Sequence, residues 1–241
     1  MKIYAHRGSA GTHPENTISA FKAAAALPIF GVEFDVHMTK DGELVVIHDE
    51  KIDRTSNGQG FIKDMTLSQL EAYDFGAWYS QKCRGEKIPT LREVLYVFKD
   101  THHHINIELK SDIFPYEGME DKVIEMLQDY RLTNRVVVSS FNHEVIQSFK
   151  RKAPNIETAI LFMEVMIAPH KYADLVGADA LHAFFPTVIR KMGHDAVASG
   201  KKVRVFTVND EAYVDMLEEI GIDAIFTDYP KKMLDYLNSG K

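Results

Sequence analysis

Eight short runs with strand character recur along this chain, most of them separated by stretches of helical spacing, and that alternation is the strongest constraint on its fold. The strand-like runs are Ile3–His6, Val32–Val36, Ile105–Leu109, Val136–Ser140, Glu157–Phe162, Ala180–Ala183, Val203–Val208 and Ala224–Thr227. Between them, Thr17–Ala26, Met119–Tyr130, Glu144–Arg151, Thr187–Ser199, Glu211–Ile220 and Lys231–Asn238 repeat apolar residues at three- and four-residue intervals. Strand–helix alternation implies parallel strands joined by right-handed crossovers. Eight such units in 241 residues predict an α/β fold of the TIM-type (β/α)8 barrel kind, with a doubly wound open sheet as the alternative. No linker or repeat divides the chain, so residues 1–241 read as a single barrel domain. The alternation lapses between His48 and Pro89, where turn residues such as Asn57-Gly58-Gln59-Gly60 gather. Residues 50–88 are therefore expected to form a small insertion over the active-site face.

Charge narrows the partners. A formal net charge of -7 argues against general attraction to nucleic acid or anionic bilayers and leaves a small molecule as the expected substrate. The lone Cys83 excludes an internal disulfide framework and a thiolate metal site. The chain shows neither a signal-peptide pattern nor a run of about 18 apolar residues, so stable membrane insertion is not expected and the cytoplasm is the expected location. No feature specifies an oligomeric state.

The chemistry gathers at strand ends. In Val32-Glu33-Phe34-Asp35-Val36 the acidic residues alternate with apolar ones, which places Glu33 and Asp35 on one face of a strand. Asp41-Gly42 favours a two-residue type I′ hairpin into Leu44–His48. With those two residues as the loop, Lys40 faces Glu43 and Asp35 stands opposite His48; a one-residue bulge would turn His48 to the other face. Asn106, Glu108 and Lys110 likewise share a face of the run that begins at Ile105. Glu33, Asp35 and Glu108 offer three oxygen donors suited to a hard divalent ion such as Mg²⁺ or Ca²⁺. The competing reading is a salt-bridge network with Arg7 and Lys110. Such an ion polarises a phosphoryl oxygen, Arg7 and Lys110 balance the remaining negative charge, and His6 and His48 suit the acid and base that phosphodiester cleavage requires.

Taken in order, His6-Arg7-Gly8, Pro14-Glu15-Asn16-Thr17, Glu33-Phe34-Asp35-Val36, His48-Asp49, Glu108-Leu109-Lys110, Ser140-Phe141, Thr207-Val208-Asn209 and Thr227-Asp228-Tyr229-Pro230 resemble the motif set of glycerophosphodiester phosphodiesterases, in particular the cytosolic bacterial type. The resemblance runs from residue 6 to residue 230. It implies a TIM-type barrel, a divalent ion on Glu33, Asp35 and Glu108, acid–base catalysis by His6 and His48, and phosphate contacts from Arg7 and Lys110. Where the family commonly carries tryptophan before Thr-Val-Asn, this chain has Phe206, which implies an altered apolar wall for the substrate. The alternatives are a lysophospholipid- or inositol-phospholipid-type phosphodiesterase on the same barrel and a catalytically silent binding barrel. His102-His103-His104 reads as a solvated turn, Arg54 as part of a charged loop without chemistry, and His182 equally as a substrate contact or a core hydrogen bond.

Overall fold

A computed structural model describes residues 1–239, so Gly240 and Lys241 lie outside the described residues. Nine strands form: β1 (Lys2–Ala5), β2 (Gly31–Met38), β3 (Leu44–Val46), β4 (His104–Leu109), β5 (Val136–Ser140), β6 (Glu157–Phe162), β7 (Ala180–Phe184), β8 (Lys202–Phe206) and β9 (Ala224–Thr227). All except β3 run parallel, in the order β1-β2-β4-β5-β6-β7-β8-β9, and β9 returns to β1. The ring is closed. This is the (β/α)8 barrel, not the open sheet.

The helices follow from local sequence. Thr90 and Glu93 form a reciprocal capping box that starts the helix Leu91–Phe98. Asn142 caps the helix His143–Lys152, with Glu144 in its first turn and Lys150, Arg151 and Lys152 in its last, each sign matched to the helix dipole. Apolar residues on the outer faces of the strands, such as Val32, Phe34 and Val36, join the helices in one continuous core. Phe34 meets Phe21 edge-on at 5.5 Å. Their strand neighbours Glu33 and Asp35 consequently point into the barrel.

Strand β2 is shared between two partners. Its first residues, Gly31 and Val32, pair with β1, while Val36, His37 and Met38 pair with the antiparallel β3. Gly31 is required by close approach: a Cβ there would lie 2.4 Å from the His104 carbonyl oxygen and 2.7 Å from the Tyr4 ring. The hairpin departs from the sequence expectation. Gly42 alone adopts positive φ (83°), the Gly42 amide donates to Thr39 O at 3.0 Å, and the Thr39 amide donates to Glu43 O at 2.9 Å. The loop is therefore three residues, a turn followed by a left-handed glycine, and not the two-residue type I′ form. Every opposed pair moves by one residue, so Val36 faces Val46 and the Ile47 amide donates to Asp35 O. His48 is not opposite Asp35.

Between β3 and the helix Leu91–Phe98, the chain builds a second small core from Val45, Ile47, Ile52, Ile62, Leu70, Phe75 and Ile88. The Val46 amide donates to Pro89 O at 2.8 Å, so this segment leaves and re-enters the body of the protein at one place. It touches the loop after β1 through the Tyr79 hydroxyl, which donates to Gly11 O.

The lower barrel is polar. Arg204, 1% exposed, pairs with Glu157 and Asp223 and donates to His182 Nε2 at 3.1 Å. The histidine run is not a solvated turn: His104 belongs to β4 and meets the Tyr4 hydroxyl at 2.9 Å, while buried His103 contacts Leu27 O at 3.0 Å. The strand begins one residue earlier than the apolar pattern indicates and carries its histidine into the barrel.

Candidate active site

His6 and Arg7 follow β1 directly. The His6 amide donates to Thr227 O at 2.9 Å, His6 Nδ1 lies 2.7 Å from Asp228 Oδ1, and its Nε2 lies 3.9 Å from Glu33 Oε2. Asp228 Oδ2 in turn accepts from Asn209 Nδ2 at 2.6 Å. The Asp228 carboxyl is held below its ordinary range because, although burial opposes ionisation, hydrogen bonds from His6 and Asn209 and the nearby positive groups outweigh it.

Arg7 and Asn16 both adopt left-handed backbone (φ 51° and 57°), a conformation that costs non-glycine residues energy and that here serves the acids. The Arg7 amide donates to Glu33 Oε2 at 2.9 Å, its guanidinium donates to Glu15 at 2.8 Å, and its Nε lies 3.3 Å from Asp35 Oδ2. Asn16 donates to Asp35 Oδ2 at 2.9 Å, and the Asn16 amide donates to Arg7 O.

Glu33, Asp35 and Glu108 are buried, and a ligand oxygen from each lies within 4.8 Å of the others. Burial, then the charges of Asp35 and Glu108, push the Glu33 carboxyl well above its ordinary range. Burial also raises Glu108, despite Lys110. Asp35 is held low: burial opposes ionisation, but Arg7, His48 and Lys110 prevail. Three converging acids, two of which resist ionisation, make a donor set whose charge a divalent cation would satisfy, and its all-oxygen chemistry fits a hard ion. The salt-bridge reading also has substance, since Lys110 Nζ donates to Glu108 at 2.8 Å and lies 3.8 Å from Asp35.

His48 arrives by a route the sequence did not show. Strand β3 ends at Val46 and the chain bends away over residues 48–50, with the His48 carbonyl 3.0 Å from His37 Nε2. His48 Nδ1 lies 2.6 Å from Asp49 Oδ1. Arg54 donates to both Asp49 oxygens and both Glu15 oxygens at 2.7–2.9 Å, so Arg7, Glu15, Arg54, Asp49 and His48 form one unbroken chain of ion pairs. Arg54 thus acts on the site, contrary to the charged-loop expectation.

A cavity of about 180 Å³ opens beside these groups, lined by His6, Arg7, Glu33, His48, Asn106, Glu108, Phe141, Leu161, Met163, His182, Phe206, Thr207 and Phe226. Six of the eight residues singled out in the sequence line it. Asp35 and Lys110 lie behind the lining and reach it through Arg7 and Glu108. Phe206 packs edge-on to Phe141 at 6.0 Å and forms part of an aromatic wall. Sequence reasoning gave no role to Asp228, Asp49, Glu15, Arg54 or Asn209. Adjacency to His48 was a usable signal for Asp49, whereas the pairing of Arg54 with Glu15, 39 positions apart, has no local signature.

The comparisons agree with this geometry. Residues 6–232 match the model of the glycerophosphoryl diester phosphodiesterase family. A glycerophosphodiester phosphodiesterase of Caldanaerobacter subterraneus subsp. tengcongensis is 39% identical over 238 residues, covering 99% of this chain and 98% of that protein. One from Bacillus altitudinis is 39% identical over 234 residues, with 96% of each chain covered. Among solved structures, an Oleispira antarctica phosphodiesterase in complex with its product sn-glycerol-3-phosphate superposes with a TM-score of 0.89 at 33% identity, covering 99% of this chain and 97% of that one. The chain belongs to the glycerophosphoryl diester phosphodiesterase family, a family of phosphoric diester hydrolases.

Proposed function

We propose that this protein hydrolyses glycerophosphodiesters to glycerol 3-phosphate and an alcohol, with a divalent ion, Mg²⁺ or Ca²⁺, held by Glu33, Asp35 and Glu108. The observation that carries this reading is a single cavity flanked by three converging acids and two imidazoles, each imidazole backed at Nδ1 by its own carboxylate. That backing directs the other ring nitrogen of each towards its proton partner. One histidine takes the proton of the attacking hydroxyl and the other supplies a proton to the departing alkoxide. The ion, when bound, polarises the phosphoryl oxygen. Arg7 contacts the phosphate and Lys110 stands near it, while Phe206 walls the substrate. We read residues 1–241 as one barrel domain, with residues 50–88 inserted over the cavity, and place the protein in the cytoplasm. Among the described residues no helix is long and apolar enough to cross a membrane.

A second reading has one observation in its favour. After β6 the loop at the cavity mouth exposes Met163 (50%), Val165 (58%) and Ile167 (98%), a surface that suits an apolar alcohol such as that of a lysophospholipid. The test assays glycerophosphocholine, glycerophosphoethanolamine and a lysophospholipid in parallel, with and without chelator. Release of glycerol 3-phosphate that chelator abolishes is expected, and His6→Ala and His48→Ala should each lower turnover by about 10²–10⁴-fold. No product from any glycerophosphodiester with Mg²⁺ or Ca²⁺ present would end the proposal.

A further inference from the structure

Two polar side chains that line the cavity each leave one buried atom without a partner. His182 is fully buried and Asn106 is 2% exposed; both line the cavity, and His182 pairs in register with Leu161, two residues before exposed Met163 and so deeper in the barrel. Arg204 can only donate, so His182 Nε2 must accept its hydrogen bond at 3.1 Å and the ring proton sits on Nδ1. That Nδ1 has no acceptor. Burial and the Arg204 charge hold the ring well below the ordinary histidine range, which keeps it neutral. Asn106 Nδ2 lies 3.1 Å from Ser139 Oγ, and its Oδ1 is buried without a partner; turning the amide over would leave the nitrogen free instead. Unmade hydrogen bonds at such depth are costly, so a ligand that satisfies them is favoured.

We propose that His182 and Asn106 form a hydroxyl-recognition subsite that holds the glycerol portion of the substrate at the inner end of the cavity. The proposal rests on the glycerophosphodiesterase reading above and adds the residues that select the polyol. A hydroxyl both donates and accepts, which matches the chemistry of an imidazole N–H and an amide. A cationic head group meets an N–H donor above the buried Arg204 guanidinium there, so the inner end rejects it. The variable alcohol is left to the mouth beside Met163. The apolar neighbours Leu161 (5% exposed) and Phe226 (2%) enclose the subsite and strengthen discrimination, because a substrate lacking the hydroxyl leaves the polar pair unsatisfied.

The test compares kcat/KM for glycerophosphocholine with that for the phosphocholine diester of propane-1,2-diol, which lacks only the terminal hydroxyl. The unmodified enzyme should prefer glycerophosphocholine by about tenfold or more, the scale of one or two buried hydrogen bonds. In Asn106→Ala and in His182→Phe that ratio should fall towards one. A purely structural role would lower both rates together and keep the ratio. If His182→Phe does not fold, Asn106→Ala and the unmodified enzyme still decide. Equal rates on the two diesters in the unmodified enzyme would overturn the subsite, with only water held there, while leaving the phosphodiesterase reading intact. If choline is a poor head group, the matched pair is made with the head group that is cleaved, and failure to cleave any glycerophosphodiester with Mg²⁺ or Ca²⁺ present would overturn both.

Discussion

Replacing Asp228 with asparagine tests whether His6 works as a proton carrier held in one tautomer. The substitution is nearly isosteric, and the surroundings fix how the new amide must lie. Asn209 Oδ1 accepts from the Asp228 amide at 2.9 Å and from Thr227 Oγ1 at 3.1 Å, so Asn209 presents its NH₂ to Asp228 Oδ2. The introduced carbonyl must therefore take that side, and the introduced NH₂ faces His6 Nδ1. His6 then has to accept at Nδ1 and carry its proton on Nε2, the nitrogen next to Glu33. Exchanging a charge-assisted bond for a neutral one costs about 1–2 kcal/mol by itself, or roughly 5–30-fold in rate. The wrong tautomer removes the remaining proton-transfer function, so turnover should fall by about 10²–10⁴-fold, close to the His6→Ala loss. The assay is glycerol 3-phosphate release from glycerophosphocholine, with circular dichroism as the check on folding. In a His6→Ala background the second substitution should cost nothing further. A loss below tenfold, or losses that multiply in the double variant, would refute the argument.

Arg54→Met breaks the ion-pair chain that steadies His48 and should lower kcat by about tenfold, the scale of one charge-assisted hydrogen bond. Because Arg54 is substantially exposed, its Tm should barely move, and thermal melts beside the kinetics check this pairing. Glu108→Gln should weaken divalent-ion binding, read by calorimetry. In the unmodified protein the raised carboxyls of Glu33 and Glu108 should make ion binding release protons and tighten as pH rises, visible as a dependence on buffer ionisation heat. Burial, then Arg204, pushes His104 down to about 4 from an ordinary 6.5. The unfolded chain therefore takes this proton first on acidification: the contribution is complete above about pH 6.5 and is lost as pH falls to about 4, at most about 3 kcal/mol before solvent screening of the partly exposed ring. Urea titrations across that range should show His104→Gln with a flatter acid limb.

The barrel was legible because its signal is repetitive, and the eight strand-like runs coincide with β1, β2 and β4 to β9. The acids were legible for a related reason: alternation along β2 and β4 fixes which face Glu33, Asp35 and Glu108 share. The hairpin register was not, since Asp41-Gly42 serves either a two- or a three-residue loop and only the backbone decides between them. His48 still lines the cavity, but by a bend after β3 and not by strand pairing, so it comes to the site through a different geometry from the one expected. The supports behind the histidines escaped notice because they depend on contacts between distant segments, as with His6 and Asp228, 222 positions apart. The histidine run was misread because its burial comes from Tyr4 and Leu27, neither of which is near it in sequence.

The single point of exit and return at Val46 and Pro89 sets the segment between them apart from the barrel. Its small core is separate from the main one, and residues such as Arg54, Tyr79, Met65 and Phe61 tie it to neighbouring segments. The stretch beyond Arg54 could be exchanged while the strands that carry the acids, and the bend that carries His48, keep their places. That part of the chain can thus diverge in sequence at no cost to the acids or to either histidine.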